Sequence, residues 1–294
     1  MTDSHAHLSF SEIQTALSQV LDEFKRKQGN YILNVGYDPE SNIEVLNTHS
    51  RLSPEDKTIV YNAIGIHPEY LSQLLSKDLD MYKQLRKLVE TFKELLKDNL
   101  ENIKGIGECG LDYYHLRNDK GLDLQTQREY MDVQKNMFRE HVALAHELQI
   151  PLSVHTRDIE GEDLCIEDTL QIVVEAGKGN VKGVFHSYTQ NSKYLSEILG
   201  LGFYVGFNGI ITYPKADNVR DILKKVPLNR IVLETDTPLL PSYKVRKDRK
   251  YWRHFGAPAD VEEIAQKAAE VKDVAYDEII KQTTDNFKNL FLID

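Results

Sequence analysis

Eight short apolar segments alternate with amphipathic stretches along this chain, and that alternation restricts the fold more than any other feature. The apolar segments have the length of buried strands, and the stretches between them have helical spacing. The strands are predicted at residues 2–8, 31–35, 58–64, 103–107, 151–155, 181–186, 202–207 and 230–234. The helices are predicted at roughly 10–28, 39–51, 69–98, 124–148, 162–177, 190–199, 215–225, 258–272 and 275–291.

This order predicts an α/β fold, a single (β/α)8 TIM-type barrel domain over residues 1–294. A doubly wound open sheet is the alternative, because alternation alone does not show whether the sheet closes. No repeat of fixed period, low-complexity tract or linker divides the sequence into separate units.

Apolar runs, net charge and cysteine content restrict the kinds of protein that this chain can be. No apolar run approaches the roughly 18 residues of a membrane span, and the first 30 residues lack the features of a signal peptide. The net charge of −10 disfavours general coating of nucleic acid, but it allows binding at one local site where metal ions supply positive charge. Cys109 and Cys165 are the only cysteines, which fits a reducing compartment. We therefore expect a cytoplasmic protein.

Histidines and carboxylates gather at the C-terminal ends of the predicted strands. His5 and His7 are separated by one residue, so both point to the same face of the first strand. The other members of the group are His67, Glu108, His155, His186 and Asp236. A single histidine at a strand end is usually structural, but these ends meet at the face where barrels place their active sites. The joint pattern favours metal binding.

The number of donors indicates more than one ion. Four imidazoles and two carboxylates exceed the ligands of a single ion and suit two divalent ions bridged by a carboxylate. The predicted ligands are His5, His7, Glu108, His155, His186 and Asp236. Mixed nitrogen and oxygen ligation leaves magnesium, manganese and zinc open. The remaining histidines are interpreted as structural: His49, His115, His141, His146 and His254.

Residues 105–110 match the G-x-G-x-x-G spacing of dinucleotide-binding loops. The segment follows a predicted strand, but no clear helix follows it and no carboxylate stands where a ribose would need one. We interpret the glycines instead as allowing Glu108 to turn toward the centre of the barrel.

A basic and aromatic segment follows the eighth strand. Its members are Tyr243, Lys244, Arg246, Lys247, Arg249, Lys250, Tyr251, Trp252 and Arg253. Basic residues interleaved with aromatic ones suit phosphate contacts combined with base stacking. A solvated charged loop is the alternative interpretation. The loop after the last strand lies on the ligand face of a barrel, which favours a role in binding.

Together these motifs resemble the TatD family of metal-dependent deoxyribonucleases. The segments that carry the resemblance are residues 3–8, 65–68, 107–113, 151–157 and 226–238. They follow the family's order and cover nearly the whole chain. The chain departs from the family pattern at Ser9, at Ile159 and at residues 256–258, and none of these departures removes a predicted ligand.

The resemblance implies a barrel that hydrolyses DNA phosphodiester bonds with two divalent ions, and we expect exonucleolytic action. His5, His7 and Asp236 would hold one ion, His155 and His186 would hold the second, and Glu108 would bridge them. Asp236 and Glu108 are the expected catalytic residues, with Asp236 accepting a proton from water. The expected DNA contacts are His67, Arg157, Arg246 and Arg249. A metal shared between the first and last strands also requires a closed barrel.

Two other functions remain open. An amidohydrolase that cleaves C–N or ester bonds of a small molecule could use much the same ligands. A barrel that has lost catalysis could serve as a binding protein, although all six predicted ligands are present. The oligomeric state is not indicated by the sequence.

Overall fold

In the computed structural model, which describes residues 1–74, 80–118, 122–159, 161–248 and 253–291, eight parallel strands form one sheet in chain order. They are β1 (Thr2–Ala6), β2 (Tyr31–Val35), β3 (Val60–Ile64), β4 (Ile103–Asp112), β5 (Leu152–Arg157), β6 (Gly183–Phe185), β7 (Tyr204–Phe207) and β8 (Ile231–Leu233). A parallel bridge between Ala6 and Thr237 joins the two edges of the sheet. The fold is therefore the predicted (β/α)8 barrel, and the open-sheet alternative is wrong.

Helices occupy the connections between the strands. They are α1 (Ser11–Thr15), α2 (Leu17–Arg26), α3 (Pro39–Arg51), α4 (Pro68–Leu74), α5 (Met81–Asp98), α6 (Tyr114–Asn118), α7 (Leu124–Leu148), α8 (Leu164–Gly177), α9 (Leu195–Gly200), α10 (Asp217–Lys225), α11 (Tyr243–Lys247), α12 (Val261–Lys272) and α13 (Tyr276–Phe291). Among the described residues, no helix has both the length and the apolar character needed to cross a bilayer.

Two predicted helices are divided in the structure. The helix predicted at 10–28 is interrupted at Ala16, which leaves helical geometry between α1 and α2. The helix predicted at 69–98 becomes α4 and α5, and residues 75–79 between them lie outside the described part of the chain. The side chain of Asp80 accepts a hydrogen bond from the backbone N–H of Lys83 and caps the start of α5.

Strand β4 is five residues longer than predicted and ends at Asp112 rather than Gly107. Glycines inside the strand permit this extension. Gly110 has φ +144°, and a Cβ atom on it would lie 1.9 Å from the backbone oxygen of His155 in β5. The G-x-G-x-x-G segment therefore lies within a strand and is not the strand-to-helix turn of a dinucleotide site. A short helix, α6, begins at Tyr114, where the sequence shows no clear helix.

Apolar side chains fill the N-terminal end of the barrel. Residues from β2, β3, β6, β7 and β8 cluster with Phe287, Leu290 and Phe291 of α13. The amide of Asn286, also in α13, donates to the backbone oxygens of Leu228 and Ile231 at the start of β8. Helix α13 thus covers this end, and the C-terminal end is where the polar side chains gather.

Candidate metal centre

Six polar side chains converge at the C-terminal end of the barrel, each at or just beyond the end of its strand or, for Glu108, within β4. They are His5, His7, Glu108, His155, His186 and Asp236. Five of the six are buried, and His155 is partly exposed. The structure brings together all six residues predicted as ligands, while their binding of metal stays a prediction.

Glu108 lies at the centre of this group, with one carboxylate oxygen directed to each side. Its Oε2 is 3.3 Å from Nε2 of His5 and 3.6 Å from Nε2 of His7. Its Oε1 is 2.9 Å from Nδ1 of His155 and 3.9 Å from Nε2 of His186. A carboxylate in this position can bridge two cations.

Asp236 follows the last strand and contacts histidines of the first strand and its end, at the seam where these two edges of the sheet meet. Its Oδ1 is 3.3 Å from Nε2 of His7, 3.8 Å from Nε2 of His186 and 4.0 Å from Nε2 of His5. The backbone N–H of Asp236 donates to the backbone oxygen of His5 at 2.9 Å, which fixes the two segments relative to each other. The residue has φ 55°, in the left-handed region. The sharp change in chain direction aims its carboxylate into the centre.

Hydrogen bonds on the outer side of two rings set which nitrogen faces the centre. Nδ1 of His7 lies 2.8 Å from the backbone oxygen of Val35, which accepts only, so Nδ1 carries the proton. Nε2 of His155 lies 3.0 Å from Oδ2 of Asp112, which likewise accepts. In the neutral rings the inward nitrogen then carries a lone pair, and that is the form that binds a metal ion.

The other two rings also place Nδ1 on the outer side and Nε2 toward the centre. Nδ1 of His186 lies 3.0 Å from Oε1 of Glu234, and Nδ1 of His5 lies 3.0 Å from the hydroxyl of Ser153. Nitrogens of four imidazoles and oxygens of two carboxylates therefore converge on one small volume. This set of nitrogen and oxygen ligand atoms is suited to cations, so the residues present fit divalent ions.

His67 has the opposite polarity. Its Nε2 is 3.4 Å from Oε1 of Glu108, close enough to place it in a donor group with His155. However, the backbone N–H of Glu69 donates to Nδ1 of His67 at 3.2 Å, so in the neutral ring the proton is on Nε2. His67 thus presents an N–H rather than a lone pair, which suits a hydrogen bond to an anion.

The charges in the centre shift several pKa values. Burial, together with His186, lowers the pKa of His5 to about 4. Burial opposes protonation of His155, but the carboxylates of Asp112 and Glu108 outweigh it and raise the pKa of His155 to about 9. Burial also opposes ionisation of Asp236, yet the surrounding histidines lower its pKa to about 2. A divalent ion would therefore compete with protons for the centre.

Two carboxylates of the site were missed from the sequence, Asp112 and Glu234. Each orients a predicted ligand, His155 and His186 respectively. A signal was available, since Asp112 follows Glu108 by four residues and Glu234 precedes Asp236 by two, and residues at even spacing share a face of a strand. The strand predicted at 103–107 ends before Asp112, whereas Glu234 lies within the strand predicted at 230–234.

His115, interpreted from the sequence as structural, belongs to the site. Its Nδ1 lies 2.8 Å from Oδ2 of Asp112, and its backbone N–H donates to Oδ1 of the same carboxylate. The ring also lines the cavity above the centre. Asp112 therefore contacts His115 at the cavity surface and His155 among the candidate ligands.

A cavity of about 500 Å³ opens above the donor atoms. Two of the predicted DNA contacts, His67 and Arg157, line it. Arg157 is exposed, and its guanidinium lies 3.9 Å from the centre of the Tyr114 ring, which holds the charge at the cavity edge.

None of the described residues of the basic segment after β8 lines this cavity. Arg246 is exposed and does not line it; its guanidinium lies 5.8 Å from the centre of the Tyr213 ring. Arg249 and its neighbours at 250–252 lie outside the described residues. Arg253 is buried and ion-paired with Asp260, so its interpretation as part of a phosphate-contacting segment is wrong. Pairing with a carboxylate in the interior uses its charge for structure.

Comparisons with known proteins agree with the geometry. A family model described as "TatD related DNase" matches residues 2–292. The metal-dependent hydrolase YabD of Bacillus subtilis is 30% identical over 292 residues, covering 99% of both chains. YcfH of Escherichia coli K12, also described as a metal-dependent hydrolase, is 30% identical over 297 residues, covering 100% of this chain and 96% of its own. The crystal structure of YJJV, a TatD homologue from Escherichia coli K12, superposes with a TM-score of 0.78 at 21% identity, covering 100% of this chain and 98% of its own.

Proposed function

Because this chain belongs to the TatD family of metal-dependent hydrolases, we propose that its substrate is DNA, in which it hydrolyses phosphodiester bonds, acting as an exonuclease. The family description supports this substrate. The site supports it as well, since hydrogen-bond donors and a guanidinium surround a group of metal-binding side chains, as recognition of a phosphate requires.

The position of Glu108 is the observation that carries the proposal. One of its oxygens lies close to His5 and His7, and the other lies close to His155 and His186. We assign the first ion to His5, His7 and Asp236, and the second to His155 and His186, with Glu108 shared. Two divalent ions in such a site lower the pKa of the attacking water and neutralise charge on the phosphoryl oxygens.

The other side chains have distinct tasks. Asp236, whose pKa of about 2 keeps it ionised at neutral pH, accepts the proton of the attacking water. His67 donates its Nε2–H to a non-bridging phosphate oxygen. Arg157, at the edge of the cavity, neutralises the neighbouring phosphate. Arg246, which lies outside the cavity, and Arg249 are also proposed to contact DNA.

The chain is further proposed to act as one hydrolase unit over residues 1–294, which the match over 2–292 supports. Both of its cysteines, Cys109 and Cys165, are buried free thiols. This state suits a reducing compartment, so we propose that it acts in the cytoplasm.

The test is metal reconstitution. The protein is stripped with a chelator, resupplied with magnesium, manganese or zinc, and incubated with end-labelled single- and double-stranded DNA. We expect cleavage only after resupply, and loss of at least a hundredfold in Asp236→Asn. Asp221→Asn, a change of the same kind at a surface position on α10, serves as the control.

Small amides and esters are assayed in parallel. If no metal restores DNA cleavage while one of these compounds is turned over, the protein is an amidohydrolase and the DNA proposal is wrong. If metal is bound but no substrate of either kind reacts, the barrel serves as a binding protein.

A further inference from the structure

The walls of the cavity differ in chemistry from one side of the barrel to the other. The ends of β3 to β6 and the loops after them contribute polar and charged side chains, among them His67, His115, Arg157 and Thr189. The loops after β7, β8, β1 and β2 contribute the apolar ones, which are Ile210, Leu239, Leu240, Phe10 and Tyr37. Because the sheet closes between β8 and β1, these four loops are neighbours and their apolar side chains share one side of the cavity. We call them the apolar wall.

Two aromatic rings of the apolar wall lie next to His7, one of the candidate ligands. The centres of Phe10 and Tyr37 lie 5.5 Å apart, and each lies 5.6 Å from the centre of the His7 ring. Both rings are partly exposed to the cavity. In the loop after β8, Leu239 is 55% exposed. Apolar surface left open in a polar site is a common mark of ligand binding.

We propose that the apolar wall is a nucleobase subsite, in which Tyr37 and Phe10 stack on the base adjacent to the phosphate at the candidate metal centre. The inference rests on the proposed function and names the part of the substrate that this site recognises. A nucleotide combines a flat apolar face with an anionic group, and the two sides of the cavity match these two parts. Stacking on an aromatic ring is available to every base, so the subsite does not require a particular sequence.

The size of the cavity adds a condition. About 500 Å³ is within the range of pockets that hold one small organic ligand, roughly 300–1,000 Å³. A base that enters it must first leave its neighbours in the duplex, which is easiest at a frayed end or in a single strand. The subsite therefore favours unpaired termini, in agreement with the proposed exonucleolytic action.

The test separates recognition of the base from recognition of the phosphate. Metal-loaded wild-type protein and Tyr37→Leu are assayed on short single strands whose terminal nucleotides carry either a base or a tetrahydrofuran abasic unit. We expect Tyr37→Leu to raise KM on the base-bearing strand about tenfold, with a much smaller effect on kcat. The abasic strand should have a high KM with wild-type protein, and Tyr37→Leu should change it little.

Three further variants guard against a simple folding defect. Tyr37→Phe retains a ring and should restore most of the preference for the base. Leu239→Ser alters the exposed edge of the wall, where the fold is tolerant, and should raise KM less than Tyr37→Leu does. Tyr82→Leu removes an exposed aromatic ring on α5 that does not line the cavity and should leave both KM values unchanged.

Equal KM values for base-bearing and abasic strands in wild-type protein would overturn the subsite while leaving the DNase function intact. If DNA is not cleaved at all, calorimetry on metal-loaded protein compares deoxyadenosine monophosphate with 2-deoxyribose 5-phosphate. Tighter binding of the nucleotide, lost in Tyr37→Leu, supports the subsite even though the proposed function fails. Equal or absent binding of the two compounds overturns both.

Discussion

At the scale of single residues, the outer hydrogen bonds of the histidines decide what each ring can do. The carboxylate of Asp112 accepts a hydrogen bond from Nε2 of His155, so Nδ1 of this ring faces the centre. The backbone N–H of Glu69 occupies Nδ1 of His67, so that ring offers an N–H. Two histidines at similar distances from Glu108 are thus suited to different tasks, one to a metal ion and the other to an anion.

Asp112→Asn tests the first of these assignments. The change removes the charge that holds His155 and permits the amide to face the ring with either its oxygen or its NH2 group. We expect the affinity of the second ion to fall about 10- to 100-fold while the first is retained, as for other partners of metal-binding histidines. Calorimetric titration of the stripped protein with zinc measures both sites. Unchanged affinity, relative to the surface control Asp221→Asn, would contradict the role of Asp112.

His141, a buried residue away from the site, makes the free energy of unfolding depend on pH. The ring is fully buried between a hydrogen bond to the backbone oxygen of Met137 and one from the backbone N–H of Ile66, and burial lowers its pKa from 6.5 to about 4. Below pH 6.5 the unfolded chain therefore binds a proton that the folded chain excludes. This histidine should cost about 3 kcal/mol of stability as the pH falls from 6.5 to 4, and nothing further below that.

Urea unfolding across this pH range measures the effect. In His141→Gln the free energy of unfolding should fall less steeply with decreasing pH than in wild-type protein. The exposed His254→Gln serves as the comparison and should follow the wild-type slope. Parallel slopes for wild-type protein and His141→Gln would show that the buried ring is protonated as readily in the folded state.

Sequence spacing was sufficient to predict that the donors come together but not how each ring is oriented. His5, His7 and His155 could be placed because strand ends of a barrel share a face. The outer partners of the rings, such as Val35 for His7 and Ser153 for His5, come from other strands and have no local pattern. Those contacts depend on packing across the barrel, which alternation of apolar residues does not encode.

At the scale of elements, the contact between β4 and β5 places His155. Gly110 lies so close to β5 that a Cβ atom would overlap the backbone oxygen of His155 at 1.9 Å, and its φ of +144° is rare for other residues. We predict that Gly110→Ala displaces His155 and destabilises the protein by more than the roughly 1–3 kcal/mol of backbone strain alone. Urea unfolding and zinc stoichiometry measure the two effects.

Gly202→Ala introduces backbone strain without the steric overlap expected in Gly110→Ala. Gly202 also has a positive φ, +83°, but no atom lies within 4 Å of the position of an added Cβ. We expect it to lose stability and to keep both ions. Full zinc stoichiometry in Gly110→Ala would show that β5 can move aside without disturbing the centre.

The elements themselves were predicted in order and type, and the errors fall at their ends. β4 was shortened because its glycines resemble a loop, whereas they allow close strand contact. The start of α5 has a local signal in Asp80, which caps it, but the long amphipathic pattern around it concealed the break. The interruption at Ala16 has no such signal, because alanine is a good helix former.

At the scale of the whole molecule, the candidate centre lies across the seam where the barrel closes. His5 and His7 belong to the first strand and its end, and Asp236 follows the last. Apart from the bridge at Ala6 and Thr237, only a few backbone hydrogen bonds connect the segment of the first strand with the segment of the last strand. An ion held by both edges therefore stabilises the closed form.

Metal addition should accordingly raise the melting temperature. Zinc or manganese at about 100 times its dissociation constant contributes about 2.7 kcal/mol, which corresponds to a rise of roughly 4–5 °C for 294 residues. Differential scanning calorimetry of the stripped and reloaded protein measures the rise. It should be strongly reduced in Asp236→Asn.

His67→Ala provides the matched comparison, since it removes a ring at the same centre that is not assigned as a ligand. The stabilisation by metal should persist in this variant while DNA cleavage declines. If His67→Ala loses the thermal shift as fully as Asp236→Asn does, His67 is a ligand and its assigned tautomer is wrong.

Helix α13, which fills the N-terminal end of the barrel, has a consequence for biosynthesis. It lies C-terminal to every strand, so the ribosome translates it after β8 and after Asp236. During synthesis of the chain, His5 and His7 are made before the carboxylate of Asp236 and before the apolar side chains of α13. We therefore expect closure of the barrel, and metal binding by the complete centre, to follow synthesis of β8 and α13.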